Sequence, residues 1–155
     1  MTVAPLRRRQ FMGSTGVALA ACATCVGGVA GCFAENTAAR PVTAKPATGG
    51  RLSLGPAGDL AVGDQLKVSA PGLDEVVLVA RVSDTEVRAV ALNCTHFGSE
   101  VTLVLGEERF HCPSHGSAFA YDGSVLEGPA SDPLNRYEVI EKGGELFMVV
   151  PPAAG

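Results

Sequence analysis

Two short stretches hold most of the reactive side chains in this sequence: N-C-T-H-F-G at 93–98 and H-C-P-S-H-G at 111–116. Cys94 and His96 are separated by one residue, Cys112 and His115 by two, and fifteen residues lie between the pairs. The pairs use two of the five cysteines and two of the three histidines. Thiolate and imidazole together select zinc, copper or iron over the harder cations. Two short-spaced pairs on separate loops can close on a metal centre from two sides. One chemistry that fits is a tetrahedral structural zinc, which predicts a colourless protein. The other is a 2Fe–2S cluster with sulfur ligands on one iron and nitrogen ligands on its neighbour.

The elements that must position these loops read as strands. Gln65–Ser69 alternates apolar and polar residues, the period of a half-buried strand. Val76–Val82 is a nearly unbroken run of β-branched and aliphatic residues, as expected of a central strand. Val87–Leu92 leads straight into the first pair. Val101–Leu105 and Arg109–His111 flank G-E-E, a turn between two strands that lie beside both pairs. Tyr137 and Val139 alternate with Arg136 and Glu138, and Glu145–Val150 closes the domain before Pro151 and Pro152. No segment beyond residue 50 carries a 3.6-residue period over three turns. Nineteen glycines and ten prolines add many turns. The pattern predicts an all-β fold of stacked antiparallel sheets, with the pairs in a small subdomain at about 93–130.

The motif C-T-H-x-G at 94–98, followed by C-P-x-H-G-S at 112–117, resembles the two cluster-binding boxes of the Rieske iron–sulfur proteins. Gly128-Pro129-Ala130 is similar to the proline-containing loop that covers the cluster in that family. The resemblance is close over 94–130 and looser in the flanking strands. It implies a Rieske-type 2Fe–2S cluster, with Cys94 and Cys112 on one iron and His96 and His115 on the other. Two neutral imidazoles in place of two thiolates leave the cluster less negative and raise its potential. His111 directly precedes a ligand in a strand, so it points to the opposite face and is expected not to bind. Gly98 and Gly116 suit either close backbone approach to the cluster or the turn conformation itself.

Within that resemblance three positions differ from the cytochrome bc type. Ser99 and Ser114 stand where those proteins carry a disulfide between the loops. Ser117 matches the family serine whose hydroxyl bonds a cluster sulfur, and the position two residues on is Phe119 rather than Tyr. Tyr121 lies two residues further along. Loss of one hydrogen-bond donor predicts an intermediate potential, below bc-type proteins and above oxygenase ferredoxins. A Rieske oxygenase would need a mononuclear iron on two more histidines and a carboxylate, and only His111 remains. The expectation is therefore an electron carrier without a catalytic site, or the Rieske subunit of a larger oxidoreductase such as a cytochrome bc-type complex or an arsenite oxidase. Its partner would be a cytochrome or a quinol-linked complex.

The first 32 residues read as an address. Arg7, Arg8 and Arg9 precede an uncharged stretch from Phe11 to Ala34, the layout of an export signal. Arg8-Arg9-Gln10-Phe11-Met12 resembles a twin-arginine (Tat) signal, whose passengers cross the membrane already folded. Val29-Ala30-Gly31-Cys32 resembles a bacterial lipobox, with Cys32 as the lipidated residue. The alternatives are an uncleaved anchor over Gly13–Cys32 and an ordinary cleaved signal. Cys22 and Cys25 are read as small apolar residues of this segment. Residues 33–50, rich in Ala, Pro, Thr and Gly, read as a flexible tether, and 51–151 as one domain of about 100 residues. Beyond residue 32 there are 9 basic residues (12 minus 3) against 16 acidic ones. That balance argues against nucleic acid. The expected location is the extracytoplasmic, or periplasmic, side of the cell membrane, tethered by lipid or by the N-terminal segment.

Overall fold

Strand β5 (Val77–Ser83) is the apolar run picked out in the sequence, and five of its seven residues are divided between two cores. Val77 and Val79 point into one of them, while Leu78, Ala80 and Val82 point into the other. A strand buried on both faces has no polar side to alternate with, which is why its sequence shows an unbroken run. Each fully buried Val or Leu contributes roughly 1.5–3 kcal/mol of transfer free energy.

The computed structural model describes residues 38–47 and 49–150. The signal, lipid site and Cys22–Cys25 pair therefore lie outside the described residues. Among the described residues, no helix is long and apolar enough to cross a membrane. The other strands are β1 (Arg40–Thr43), β2 (Lys45–Ala47), β3 (Arg51–Pro56), β4 (Gln65–Ser69), β6 (Glu86–Ala91), β7 (Thr102–Val104), β8 (Arg109–His111), β9 (Ala118–Ala120), β10 (Val125–Glu127), β11 (Arg136–Lys142) and β12 (Glu145–Val149). Single 3-10 turns occupy Ala57–Asp59 and Leu105–Glu107. The fold is all-β, as the sequence pattern predicts.

Eight strands follow one another in the order β1-β4-β5-β6-β11-β12-β3-β2, and four form a smaller sheet in the order β10-β9-β8-β7. Strand β11 joins the halves of the large sheet. Its first residues, Arg136 and Tyr137, pair with β6, and Glu138–Lys142 pair with β12. The core between these halves gathers Leu66, Val68, Val77 and Val79 from one side and Leu52, Leu146 and Met148 from the other. The small sheet packs on the opposite face of β5, where Leu103, Phe110 and Phe119 meet Leu78, Ala80 and Val90. Gln65 stitches the two sheets together. Its buried Oε1 accepts the Leu103 N–H at 2.8 Å and the Thr102 hydroxyl at 3.3 Å.

The antiparallel expectation holds with one exception, and one other expectation needs correction. The pairings are antiparallel except for β1 with β4, which is parallel. Residues 40–47, read from composition as tether, form β1 and β2 within the large sheet. Pro41 and Pro46 hide this from a composition-based reading. They are tolerated because each strand lies at an end of the order, where one ladder has no neighbour to serve.

Candidate metal centre

The first pair sits on the loop leaving β6, and the second on the loop between β8 and β9. Both loops are closed by the same two backbone hydrogen bonds. The Cys94 N–H donates to Ser99 O at 2.8 Å, and the Gly98 N–H donates back to Cys94 O at 2.8 Å. In the second loop, Cys112 N–H donates to Ser117 O at 2.8 Å and Gly116 N–H to Cys112 O at 3.0 Å. Gly98 and Gly116 have φ of 72° and 78°, the left-handed region. No protein atom would crowd a Cβ at either position. The turn conformation, rather than close approach by other parts of the protein, is what asks for glycine here.

Cys94 and Cys112 are unpaired thiols, 2% and 1% exposed, and belong to the core beneath the small sheet. The two imidazoles stand outside them. The His96 and His115 rings meet edge to face with centroids 4.9 Å apart. His96 is half-buried and His115 exposed. The Nδ1 of His96 is buried with no hydrogen-bond partner in the protein. A buried nitrogen left unpaired is costly, so this atom fits a metal bond that the fold leaves room for. Among the described residues, no three His, Cys, Asp or Glu side chains converge as a single ion would require. Two sulfur and two nitrogen donors on facing loops suit a donor set split two and two over a pair of irons.

A third segment covers the loops. Gly128 has φ of 97°, and a Cβ there would lie 2.5 Å from Ser117 Cα, so only glycine lets this backbone rest on the second loop. Pro129 is exposed on the outside of the segment. The Ala130 N–H donates to the fully buried Ser117 Oγ at 3.1 Å, and the Thr95 hydroxyl donates to Asp132 O at 2.7 Å. Residues 128–132 are therefore a strap fastened to both ligand loops. Its far end is held where the Leu134 N–H donates to Gly123 O at 2.9 Å and the Ala91 N–H to Asn135 O at 2.8 Å. Beyond it, Tyr137 donates to Glu75 at 2.8 Å. Burial, and then the Glu75 carboxylate that its hydroxyl bonds, push the Tyr137 pKa up.

Phe119 is fully buried on β9, opposite Phe110 across the ladder. It is a core residue that shares its cluster with both cysteines. Tyr121 packs edge-on against Phe110 with centroids 5.8 Å apart, and burial raises its pKa. His111 is partly buried on β8 between Thr102 and Ala118. Sequence reasoning missed Thr95 and Gln65, because the oxygen or N–H that each bonds is a backbone group 37 or 38 residues away. The tip made by residues 94–99, 112–117 and 128–131 contains no Asp, Glu, Lys or Arg. Phe97, 74% exposed, lies there with its ring 4.0 Å from His96 and 5.6 Å from His115.

A family model, described as the Rieske [2Fe-2S] domain, matches residues 51–138, more than half of the chain. The chain belongs to the Rieske [2Fe-2S] family. The cofactor of a Rieske domain is a Rieske-type 2Fe–2S cluster, and the four Cys and His side chains could hold it. Among curated relatives, the cytochrome b6-f complex iron-sulfur subunit of Prochlorococcus marinus (strain MIT 9211) is 33% identical, over 94% of this chain and 86% of that protein. The chloroplastic cytochrome b6-f complex iron-sulfur subunit of Bigelowiella natans is 34% identical over 48% of this chain, but only 31% of that protein is covered. Among solved structures, the cyanobacterial plasma membrane Rieske protein PetC3 from Synechocystis PCC 6803 matches with a TM-score of 0.56 and 31% identity. The match covers 63% of this chain and 98% of that one.

Proposed function

We propose that the protein is a one-electron carrier at the outer face of the cytoplasmic membrane. It is exported by the twin-arginine signal in residues 1–32 and tethered through lipid on Cys32. The observation that carries the redox role is the layered site: two buried thiols behind two touching imidazoles that reach an uncharged tip. In this reading Cys94 and Cys112 bind one iron, and His96 and His115 bind the other. A 2Fe–2S cluster held there supplies a centre that accepts one electron from a donor and releases it to an acceptor.

The protein's own residues do the rest. The buried thiols keep water from the inner side of the site. The imidazoles give a partner its shortest approach, and Phe97 offers it an apolar contact. Ser117 accepts from Ala130, which leaves its hydroxyl proton to be donated toward a cluster sulfur. Such a bond favours the more negative, reduced state and raises the potential. Phe119 lacks the hydroxyl that would add a second one, so an intermediate potential is expected. No side chain acts as a catalyst in this reading. The partner is a cytochrome or a quinol-linked redox protein.

A second reading, the Rieske subunit of a larger oxidoreductase, is favoured by the relatives that are named cytochrome b6-f complex iron-sulfur subunits. An arsenite oxidase small subunit belongs to the same class. Ser99 and Ser114, in place of a cysteine pair, favour the stand-alone carrier. Iron and acid-labile sulfide analysis, with electron paramagnetic resonance of the reduced protein, tests the redox role. Two irons and a Rieske-type signal are expected, and protein free of iron and sulfide would overturn it. A haem or molybdenum subunit co-purifying from mild detergent would decide for the second reading.

A further inference from the structure

The charges of the domain are spread unevenly. The described residues carry 9 basic and 15 acidic side chains, a net charge of −6 (9 − 15). None of them lies in residues 94–99, 112–117 or 128–131, the three segments of the tip. Phe97 stands there beside exposed Pro113 and Pro129, and among the described residues it is the most exposed large apolar side chain. A ring left this open contributes little to folding stability. The acids that border the three segments are Glu100, Glu127 and Asp132. Glu100 is ion-paired with Lys67 at 2.5 Å, and Glu127 lies 3.4 Å from Arg109. Asp132, exposed at the end of the strap, has no cationic partner among the described residues.

A carrier that serves one charged partner gains rate from a patch of the opposite sign. The same patch sets two copies of the chain against each other, because an isologous contact places each group near its own twin. A face without charge escapes that penalty. Copies that meet elsewhere bring together surfaces of a net-negative domain. Copies that meet tip to tip bring together imidazole edges, phenyl rings and proline rings.

We infer that the tip is a self-docking face whose occupant is a second copy of this chain, in brief isologous contact through Phe97. The inference deepens the reading of the site as a one-electron centre and rests on it. Contact through this face brings the imidazole ends of both copies together. One electron then passes from a reduced copy to an oxidised one. The first copy is oxidised by one electron, the second is reduced by one, and no other reactant is consumed. Copies of the protein share electrons among themselves as well as with a cytochrome or quinol-linked partner.

The test uses purified protein whose iron and sulfide content has been measured. Phe97 is replaced by the photo-reactive aromatic p-benzoylphenylalanine, and the protein is irradiated alone. A covalent dimer is expected, joined within the three tip segments of the second copy. It should form several-fold more than from the same photo-reactive residue at Val62, which is also exposed, on the turn before β4. Placed at exposed Pro129 instead, the photo-reactive residue should give dimers joined within the same segments. Salt screens charged faces, and here only Asp132 repels its twin, so the yield should rise less than about threefold up to roughly 0.3 M salt. Phe97→Asp sets two carboxylates face to face. It should slow electron exchange between reduced protein enriched in the magnetic iron isotope and oxidised protein of natural abundance by about tenfold. That exchange is read from the narrowing of the electron paramagnetic resonance line. Dimers no more abundant than from Val62, cross-links outside the tip, a larger rise with salt, or exchange indifferent to Phe97→Asp would each overturn the inference and leave the redox reading intact. Protein without iron and sulfide would overturn the redox reading itself.

Discussion

In the first ligand loop a histidine follows its cysteine by two residues; in the second, by three. The backbones are nonetheless alike, with the same pair of closing hydrogen bonds and a left-handed glycine at the fifth position of each. A loop closed in this way projects its third and fourth residues from the same tip, so either position can bear the outer ligand. The first position points inward in both, and a cysteine occupies it in both. The loops differ in what holds them. The first is held from outside, by the exposed Thr95 on Asp132 O and by an ion pair of 2.5 Å between Lys67 and Glu100. The second is held from inside, by buried Ser117 and by the direct run of the chain into β9. The strap is hydrogen-bonded to both. It spans the loops that bc-type proteins join with a disulfide.

Replacing Gly128 should break this comparison most severely, because the strap then loses its seat on the second loop. Gly128→Val places carbon against Ser117 backbone at a positive φ, and a loss of at least about 3 kcal/mol is expected. Gly98→Ala, in open space, should cost only about 1–2 kcal/mol from its φ. Urea unfolding of the two variants checks this, and equal losses would mean that the strap does not bear on the second loop.

Ser117→Ala comes next. It leaves the Ala130 N–H buried without a partner, at about 1–3 kcal/mol, and it should lower the midpoint potential. A potential unchanged in a redox titration would remove the hydroxyl from the electronic account. Phe119→Tyr sharpens the same point in the opposite direction. A hydroxyl that reaches a cluster sulfur should raise the potential by about 40 mV, equivalent to roughly 1 kcal/mol for one electron. If stability falls and the potential stays where it was, the ring has no acceptor within reach. Thr95→Val should have the smallest effect. The bond it removes is exposed, so about 0.5–1 kcal/mol is expected, read as modestly faster iron loss to a chelator. Loss faster than in Ser117→Ala would reverse the ranking of outside and inside support.

The residue types in the two boxes announce the metal chemistry because few other pairings of thiol and imidazole make sense at that spacing. The central strand is equally plain, since Val77–Val82 has no polar side except Arg81. That residue contradicts its surroundings on paper. In the structure its guanidinium donates from Nε, Nη1 and Nη2 to the carbonyls of Leu60, Asp84 and Ala57, at 2.6, 3.0 and 3.1 Å. The segment that forms β1 and β2 was not legible. Its strands are three or four residues long, each carries a proline, and β1 finds its parallel partner 26 residues away. The strap was visible as a motif, but its fastenings go to backbone groups and leave no mark in the sequence. Ser117 shows both limits: its type and place suggest one partner, and the fold adds Ala130.

Strand β5 is a party wall. A side chain enlarged on its outer face presses on the core that holds the thiols, and one enlarged on its inner face strains the same backbone from behind. The two compartments cannot be redecorated independently. Variants selected for a tighter interior in the large sheet should therefore be screened by their visible absorption as well as by melting, because a bleached sample would be an early sign of damage done through the wall.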